Sequence, residues 1–433
     1  MSTDHGTDRS RPGPDQLAID GGDRACPTPL PTMADATGRT LGEEEIAALT
    51  AVVRSGMLSS IWGTETRALE ADFATLYGAE YAVAASSGTA ALHLAVGAVN
   101  PEPGDEIITS PISDFGTIIP ILMQNAVPVF ADVDPRTGIL DPAAVEAAIS
   151  PRTKAIIAVH LFGTPAPVVE LARIAREHSI ALIEDCAQAY LTEPEPGRYA
   201  GRYGDIGCFS LQQTKHITAG DGGLAITDNP DLARRMRLFA DKGWPRDTGE
   251  RTYLFLAANY RMTELQAAVA RAQLVKLPGV VARRRRTGIR LGEAIADLAG
   301  VVTPPQPERC SFWFYPLVLD ADVTGATIAE WAAALTAEGM PATAGYIPRP
   351  LYLAPVLAER KTYGTSGYPL SVPPAREVPK YAPGLCPIAE RMLAETVISL
   401  GWNENYTDQH VTNIIAAIRK VHAAFAARVG TAQ

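Results

Sequence analysis

The chain has 433 residues, 47% hydrophobic and 20% charged, a balance that excludes the disordered and fibrous classes and a length that suits two or three domains. Acidic residues outnumber basic ones, 48 against 38, for a formal charge of −10, which removes the electrostatic basis for a nucleic-acid partner and leaves a small molecule as the expected one. No apolar run reaches the ~18 residues of a membrane span, the polar start MSTDHGTDRSRPGPDQ lacks the apolar region of a signal peptide, and the five cysteines form no CxxC pair, so a cytoplasmic protein with reduced thiols, no metal site and no membrane partner is expected.

Residues 1–40 are rich in Gly, Pro, Asp and Thr, with one short apolar stretch at Leu17-Ala18-Ile19, and read as a mobile arm. From residue 41 to about 230, short apolar strands alternate with amphipathic helices: YAVAAS and a helix from Thr89, EIITS and Gly116–Gln124, VPVFADV and a helix from Asp141, KAIIAVH and Val168–Glu177, then IALIEDC, IGCFSL and GLAITD. This alternation predicts a mostly parallel sheet with helices on both faces, whose ligands sit beyond the carboxyl ends of the strands. Over residues 262–277, Leu265, Val269, Ala272 and Leu277 share one helical face and suit a helix linking two domains. The pattern then changes to an aromatic run at 312–315, Pro-rich loops over 341–387 and a final helix carrying Val411, Ile414, Ile415, Ile418, Val421 and Phe425. The expected organisation is thus an arm (1–40), a large α/β domain with its linking helix (41–298) and a smaller α+β domain (299–433).

Three segments could carry chemistry. ALIEDCAQAY brings Asp185 to the carboxyl end of an apolar strand; by itself this suits a helix cap or loop hydrogen bond. In CFSLQQTKHITAGDGGLAITD, a strand leads through Ser210 to Lys215 and a Gly-rich turn, leaving room for a flat ligand beside a lysine whose pKa burial would lower. AVAASSGTAALHLAV places Ser86-Ser87-Gly88-Thr89 between a strand and a helix, either an ordinary N-cap or a phosphate cradle. Together, at one end of one sheet, a phosphate cradle, a carboxylate and a lysine meet the needs of pyridoxal phosphate (PLP): lysine forms an imine, and the carboxylate keeps the pyridine nitrogen protonated.

The motifs SSGTAAL, PVFADVDPRTG, TKAIIAVHLFG, IEDCAQA, FSLQQTK, GDGGLAITD and NYRMTELQAA, in this order from about residue 41 to 420, resemble the DegT/StrS family of PLP-dependent sugar aminotransferases. The resemblance implies the aspartate-aminotransferase fold (fold type I), Lys215 as the imine-forming lysine and Asp185 as partner of the pyridine nitrogen. It also implies Gln188 on the ring hydroxyl and a phosphate site made by Ser87, Gly88, Thr89 and Ser210. Asn259, in NYR, matches an asparagine that reaches the phosphate of the neighbouring subunit, which implies a homodimer with shared active sites. The implied reaction moves an amino group from glutamine or glutamate to a carbonyl of a sugar, cyclitol or related intermediate, with pyridoxamine phosphate as the alternate cofactor form. The opening LAIDGG looks like that of relatives that aminate inosose-type ketones.

The chain departs from the family where an aromatic residue usually stacks on the cofactor ring: the spacing from Pro111 to Pro128 puts Asp114 there, with Phe115 next. Gly-Glu-Gly-Gly reads Gly220-Asp221-Gly222-Gly223, and Lys215 is retained where histidine marks sugar dehydratases. Alternative readings are dehydration or aromatisation on the same cofactor, or a non-catalytic regulatory relative; a GxGxxG nicotinamide motif is absent after the first strand. His160 fits a site-lining or a structural role, and so does Tyr346. Arg283–Arg286 reads as a solvated helix face, and the aromatic run as a core strand.

Overall fold

The computed structural model describes residues 16–430. The large domain is built on a seven-stranded sheet: β1 (Tyr81–Ala85), β2 (Glu106–Thr109), β3 (Val127–Phe130), β4 (Thr153–Val159), β5 (Ala181–Asp185), β6 (Ile206–Ser210) and β7 (Gly223–Thr227), in the spatial order β1-β7-β6-β5-β4-β2-β3. Only β7 runs against its neighbours; the other ladders are parallel. The strand alternation explains why both faces are covered. Ala82, Ala84, Phe209, Leu224 and Ile226 point to a core shared with the helices Glu65–Tyr77 and Glu264–Ile295. Val83, Ala85, Cys208 and Ala225 point to the opposite core, filled by the helix Gly88–Val99. The strand interiors are apolar because both faces are covered, and the charged residues Glu106, Lys154, Glu184 and Asp185 fall toward strand ends.

The linking helix runs on past residue 277: it spans Glu264–Ile295, 32 residues, with Pro278 inside. Its start is fixed by a capping box in which Thr263 Oγ1 accepts from the Gln266 amide and Gln266 Oε1 accepts from the Thr263 amide. Leu277, Val280 and Val281 are buried around the proline, and this packing outweighs the backbone hydrogen bond that Pro278 removes.

The small domain pairs β8 (Val301–Val302), β9 (Phe314–Leu319), β10 (Ala342–Ala344) and β11 (Val397–Gly401) in the antiparallel order β10-β11-β9-β8. The final helix, Asp408–Gly430, buries Val411, Ile414, Ile418, Val421 and Phe425 beneath it with Trp331 and Trp402.

The mobile-arm expectation does not hold for residues 16–40; residues 1–15 lie outside the described residues. Leu17 and Cys26 are buried in the small-domain core. The buried carboxylate of Glu338 accepts from the Ala18 and Ala25 amides at 2.8 and 2.9 Å and pairs with Lys420 at 2.9 Å. Gly- and Pro-rich composition signals a lack of regular structure, but a buried acceptor at the right place orders such a chain through its backbone. The solvated-face expectation for Arg283–Arg286 also fails at its centre. Arg284 is fully buried against Glu404 at 2.6 Å and donates to the carbonyls of Phe312 and Trp402.

Candidate active site

The strand ends bring the predicted residues other than Phe115 and Asn259 to one cleft of about 360 Å³, lined among others by Ser87, Gly88, Thr89, Asp114, Thr117, Asp185, Gln188, Ser210, Lys215, Trp313 and Tyr346. Each arrives by a separate route: Ser87–Thr89 where β1 turns into a helix, Asp114 in the loop after β2, Asp185 as the last residue of β5, Ser210 as the last of β6.

At the floor, Ser87 caps the helix Gly88–Val99, its hydroxyl accepting from the Ala90 amide at 3.0 Å. That leaves the first-turn amides of Gly88 and Thr89 for a ligand, at the positive end of the helix dipole. Gly88 lies so close to Ser210 that a Cβ there would sit 2.6 Å from Ser210 Cβ and 2.8 Å from Oγ. A Cβ at Gly223 would fall 2.3 Å from the Ser87 carbonyl oxygen. The two glycines thus draw β6 and β7 against the turn and shape a cradle of amides and hydroxyls suited to a phosphate.

Asp185 is buried, and burial raises its pKa; Thr117 Oγ1 donates to one carboxylate oxygen at 2.8 Å and the Ala187 amide to the other at 3.1 Å, both opposing that rise. Ser113 extends the network to Thr117 at 2.8 Å. Lys215 is 9% exposed, and burial lowers its amine pKa to about 8, with Asp185 and Asp114 pulling the other way. A desolvated lysine close to neutrality is a competent nucleophile toward a carbonyl. Its ammonium lies over the Trp313 ring, 3.9 Å from the centroid. The Lys215 carbonyl accepts from the Arg39 guanidinium at 2.8 Å.

Gln188 is held at both ends: its Oε1 accepts from the Phe162 amide at 2.8 Å, and its Nε2 donates to the Tyr346 hydroxyl at 3.0 Å. One Nε2 proton remains for a ligand. Of the Asp114-Phe115 pair, Asp114 lines the cleft, its Oδ1 taken by the Gly116 amide at 2.7 Å, whereas Phe115 packs onto the large-domain core. Asn259 is exposed and bridges to Asp241, apart from this cleft. His160 is structural: fully buried, it holds Glu184 at 3.1 Å through Nε2 and accepts from the Ala166 amide through Nδ1. Glu184 also takes the amides of Gly201, Tyr203 and Gly204.

Sequence reading missed Thr117, Trp313 and Arg39. Thr117 follows Asp114 on the same loop and could have been found from that position. Trp313 sat within an aromatic run that looked like plain strand, and β9 begins only at Phe314. Nothing local marked Arg39.

The mostly parallel seven-stranded sheet with a smaller antiparallel sheet beside it is the fold type I architecture, and the likeness to known proteins makes the class a PLP-dependent aminotransferase. An aminotransferase from Psychrobacter cryohalolentis shares the fold with a TM-score of 0.79 and 27% identity, over 92% of this chain and 100% of that one. The chain belongs to the DegT/DnrJ/EryC1/StrS aminotransferase family, whose model matches residues 39–419. Two similar relatives are L-glutamine:2-deoxy-scyllo-inosose aminotransferases. That of Streptomyces kanamyceticus is 39% identical, with 78% of this chain and 82% of the relative covered. That of Streptoalloteichus tenebrarius is 40% identical, covering 68% and 72%. Aminotransferases act on a small-molecule amino donor and acceptor, and among the described residues no helix is long and apolar enough to cross a membrane.

Proposed function

We propose that this enzyme transfers an amino group from glutamine or glutamate to the ketone of a cyclitol or related polyol, with PLP held on Lys215. The observation that carries the reading is the desolvated Lys215 amine sharing one cleft with buried Asp185 and the Gly88–Ser210 cradle. The residues fit the cofactor. The Gly88 and Thr89 amides and the hydroxyls of Ser87 and Ser210 would take its phosphate, Asp185 its pyridine nitrogen and Gln188 its ring hydroxyl, while Asp114 would lie along the ring face. When bound, the cofactor supplies an electron sink for the donor α-carbon.

The chain's own residues do the rest. The Lys215 amine, poised near neutrality, accepts a proton from the donor α-carbon and returns one to the acceptor carbon in the second half of the cycle. Asp185, which accepts from Thr117 and the Ala187 amide, would hold positive charge at its end of the cleft. Asn259, exposed on its loop, would complete the phosphate site of a second subunit, so the working unit is a homodimer.

Charge favours an uncharged acceptor. Among the described residues, this chain's share of the lining includes three carboxylates, Asp114, Asp185 and Asp221, one cation, Lys215, and no arginine. Such a lining suits hydroxyl groups better than a pyrophosphate, in keeping with the inosose named for the two relatives. The five free, buried cysteines suit a reducing cytoplasm.

Borohydride reduction of the PLP-loaded protein tests the assignment: the cofactor should become fixed to Lys215, the yellow absorbance should bleach on adding glutamine or glutamate, and Lys215→Ala should abolish the linkage. A linkage that survives in that variant, or a protein that takes up no PLP, refutes the reading.

A further inference from the structure

We propose that Trp313 is a positioning residue for Lys215: its indole N–H fixes the backbone next to the lysine, and its ring face is where the amine rests whenever it is not bonded to cofactor. This rests on the assignment of Lys215 as the cofactor lysine.

Two independent observations lead there. The first is the contact itself. Trp313 Nε1 donates to the Thr214 carbonyl at 2.8 Å, on the residue before Lys215, while the Lys215 ammonium sits 3.9 Å from the centroid of the same ring. One side chain therefore grips the lysine at its backbone and at its tip. A desolvated ammonium over an indole face is a favourable electrostatic contact, and in this cleft it meets little competing water.

The second is the strained backbone that delivers the ring. Phe312 has φ +51 and, facing it, Phe162 has φ +60, both in a left-handed region that bulky residues rarely adopt. The two segments are tied together by Ser311 N to the Gly163 carbonyl at 2.9 Å and Trp313 N to the Phe162 carbonyl at 2.8 Å. Arg284 locks the kink from behind through the Phe312 carbonyl at 3.0 Å. Because of the kink, Trp313 leaves the register of β9 and enters the cleft, while Phe312 stacks on Tyr315 at 5.3 Å. Burying Trp313 as an ordinary strand residue would need none of this. The same tie fixes the Phe162 amide that holds Gln188, so the small domain sets lysine and glutamine together.

The contact stabilises the ammonium form, so it opposes the effect of burial on the amine. The other charged or titratable groups around Lys215 are Asp185 on β5, Asp114 after β2, Asp221 before β7, Tyr346 from the small domain, His216 next in sequence and Arg39 on the arm. Tyr346 also meets the Trp313 ring, 6.1 Å between centroids, and substitution at position 313 removes none of the six. Leucine keeps the site apolar and removes the π face.

The test uses the apoenzyme. The rate at which it captures added PLP is followed by absorbance as a function of pH, since only the unprotonated amine reacts. Trp313→Leu should move the midpoint down by about one pH unit, and Trp313→Phe, which keeps a ring, should fall between it and wild type. An unchanged or raised midpoint in a folded Trp313→Leu variant overturns the proposal. If that variant does not fold, apoenzyme carrying lysine labelled with ¹³C at the ε-carbon decides. One ε-CH₂ signal, absent in Lys215→Ala, should be shifted upfield by the ring current; a Lys215 signal at the ordinary position overturns the contact. That signal reads the contact whether or not Lys215 binds cofactor, so its failure is distinct from failure of the borohydride test.

Discussion

Gly88→Ala sets two effects against each other at a single atom. Gly88 is the first residue of its helix, and helix propensity alone favours alanine by up to about 1 kcal/mol. The added Cβ, however, would lie 2.6 Å from Ser210 Cβ and 3.2 Å from Ser210 Cα, roughly 1 Å inside ordinary carbon–carbon contact at the nearer atom. Ser210 ends β6, paired on one side with β7, and is buried. Its Cβ cannot rotate away, so strand and helix must part. Overpacking of this kind costs about 1–3 kcal/mol, more than the propensity gain at a helix terminus. The expected net loss is thus about 1–2 kcal/mol, and the parted cradle should weaken PLP binding by about tenfold or more. Scanning calorimetry of the apoenzyme gives the first quantity and spectrophotometric PLP titration the second. Adding Ser210→Gly should restore most of the melting temperature but not the affinity, because the hydroxyl is gone. A Gly88→Ala protein that melts at or above wild type and binds PLP with unchanged affinity would refute the cradle argument.

Glu404→Ala should lower the unfolding free energy by about 3–5 kcal/mol, because it leaves Arg284 buried at the domain junction without its carboxylate; a denaturant midpoint within error of wild type would contradict this. His93, buried in the helix Gly88–Val99, has its pKa lowered by burial from 6.5 to about 4. The unfolded chain therefore binds one more proton than the folded one between those values, and stability falls as pH drops through that window. From pH 7 to pH 5 this residue should cost about 2 kcal/mol, and His93→Gln, which can still meet Tyr260 and Gln124, should flatten that part of the profile. Equal slopes in the two proteins would show that His93 is not the group responsible.

Much of this was legible in the sequence because it is locally encoded. The strands YAVAAS, IALIEDC and IGCFSL were recognisable since a strand buried on both faces has an apolar interior, and their ends placed Ser87, Asp185 and Ser210 at one edge. Lys215 could be singled out from its Gly-rich surroundings and its order after Asp185. What the sequence could not decide are contacts made across long separations. Trp313 grips the loop of Lys215 from 99 residues away and Arg39 from 176, and no periodicity links such positions. The arm of residues 16–40 looked mobile because its composition offers no helix or strand; its order comes from Glu338, whose buried carboxylate supplies acceptors from the far side of the chain. Likewise four consecutive arginines look solvated until the fold puts Glu404 and three carbonyls around one of them. Sequence by itself determined which groups could do the chemistry, because residue type and strand position are local properties. The tertiary structure alone decided how those groups are held, because desolvation and charge depend on neighbours that only folding brings together.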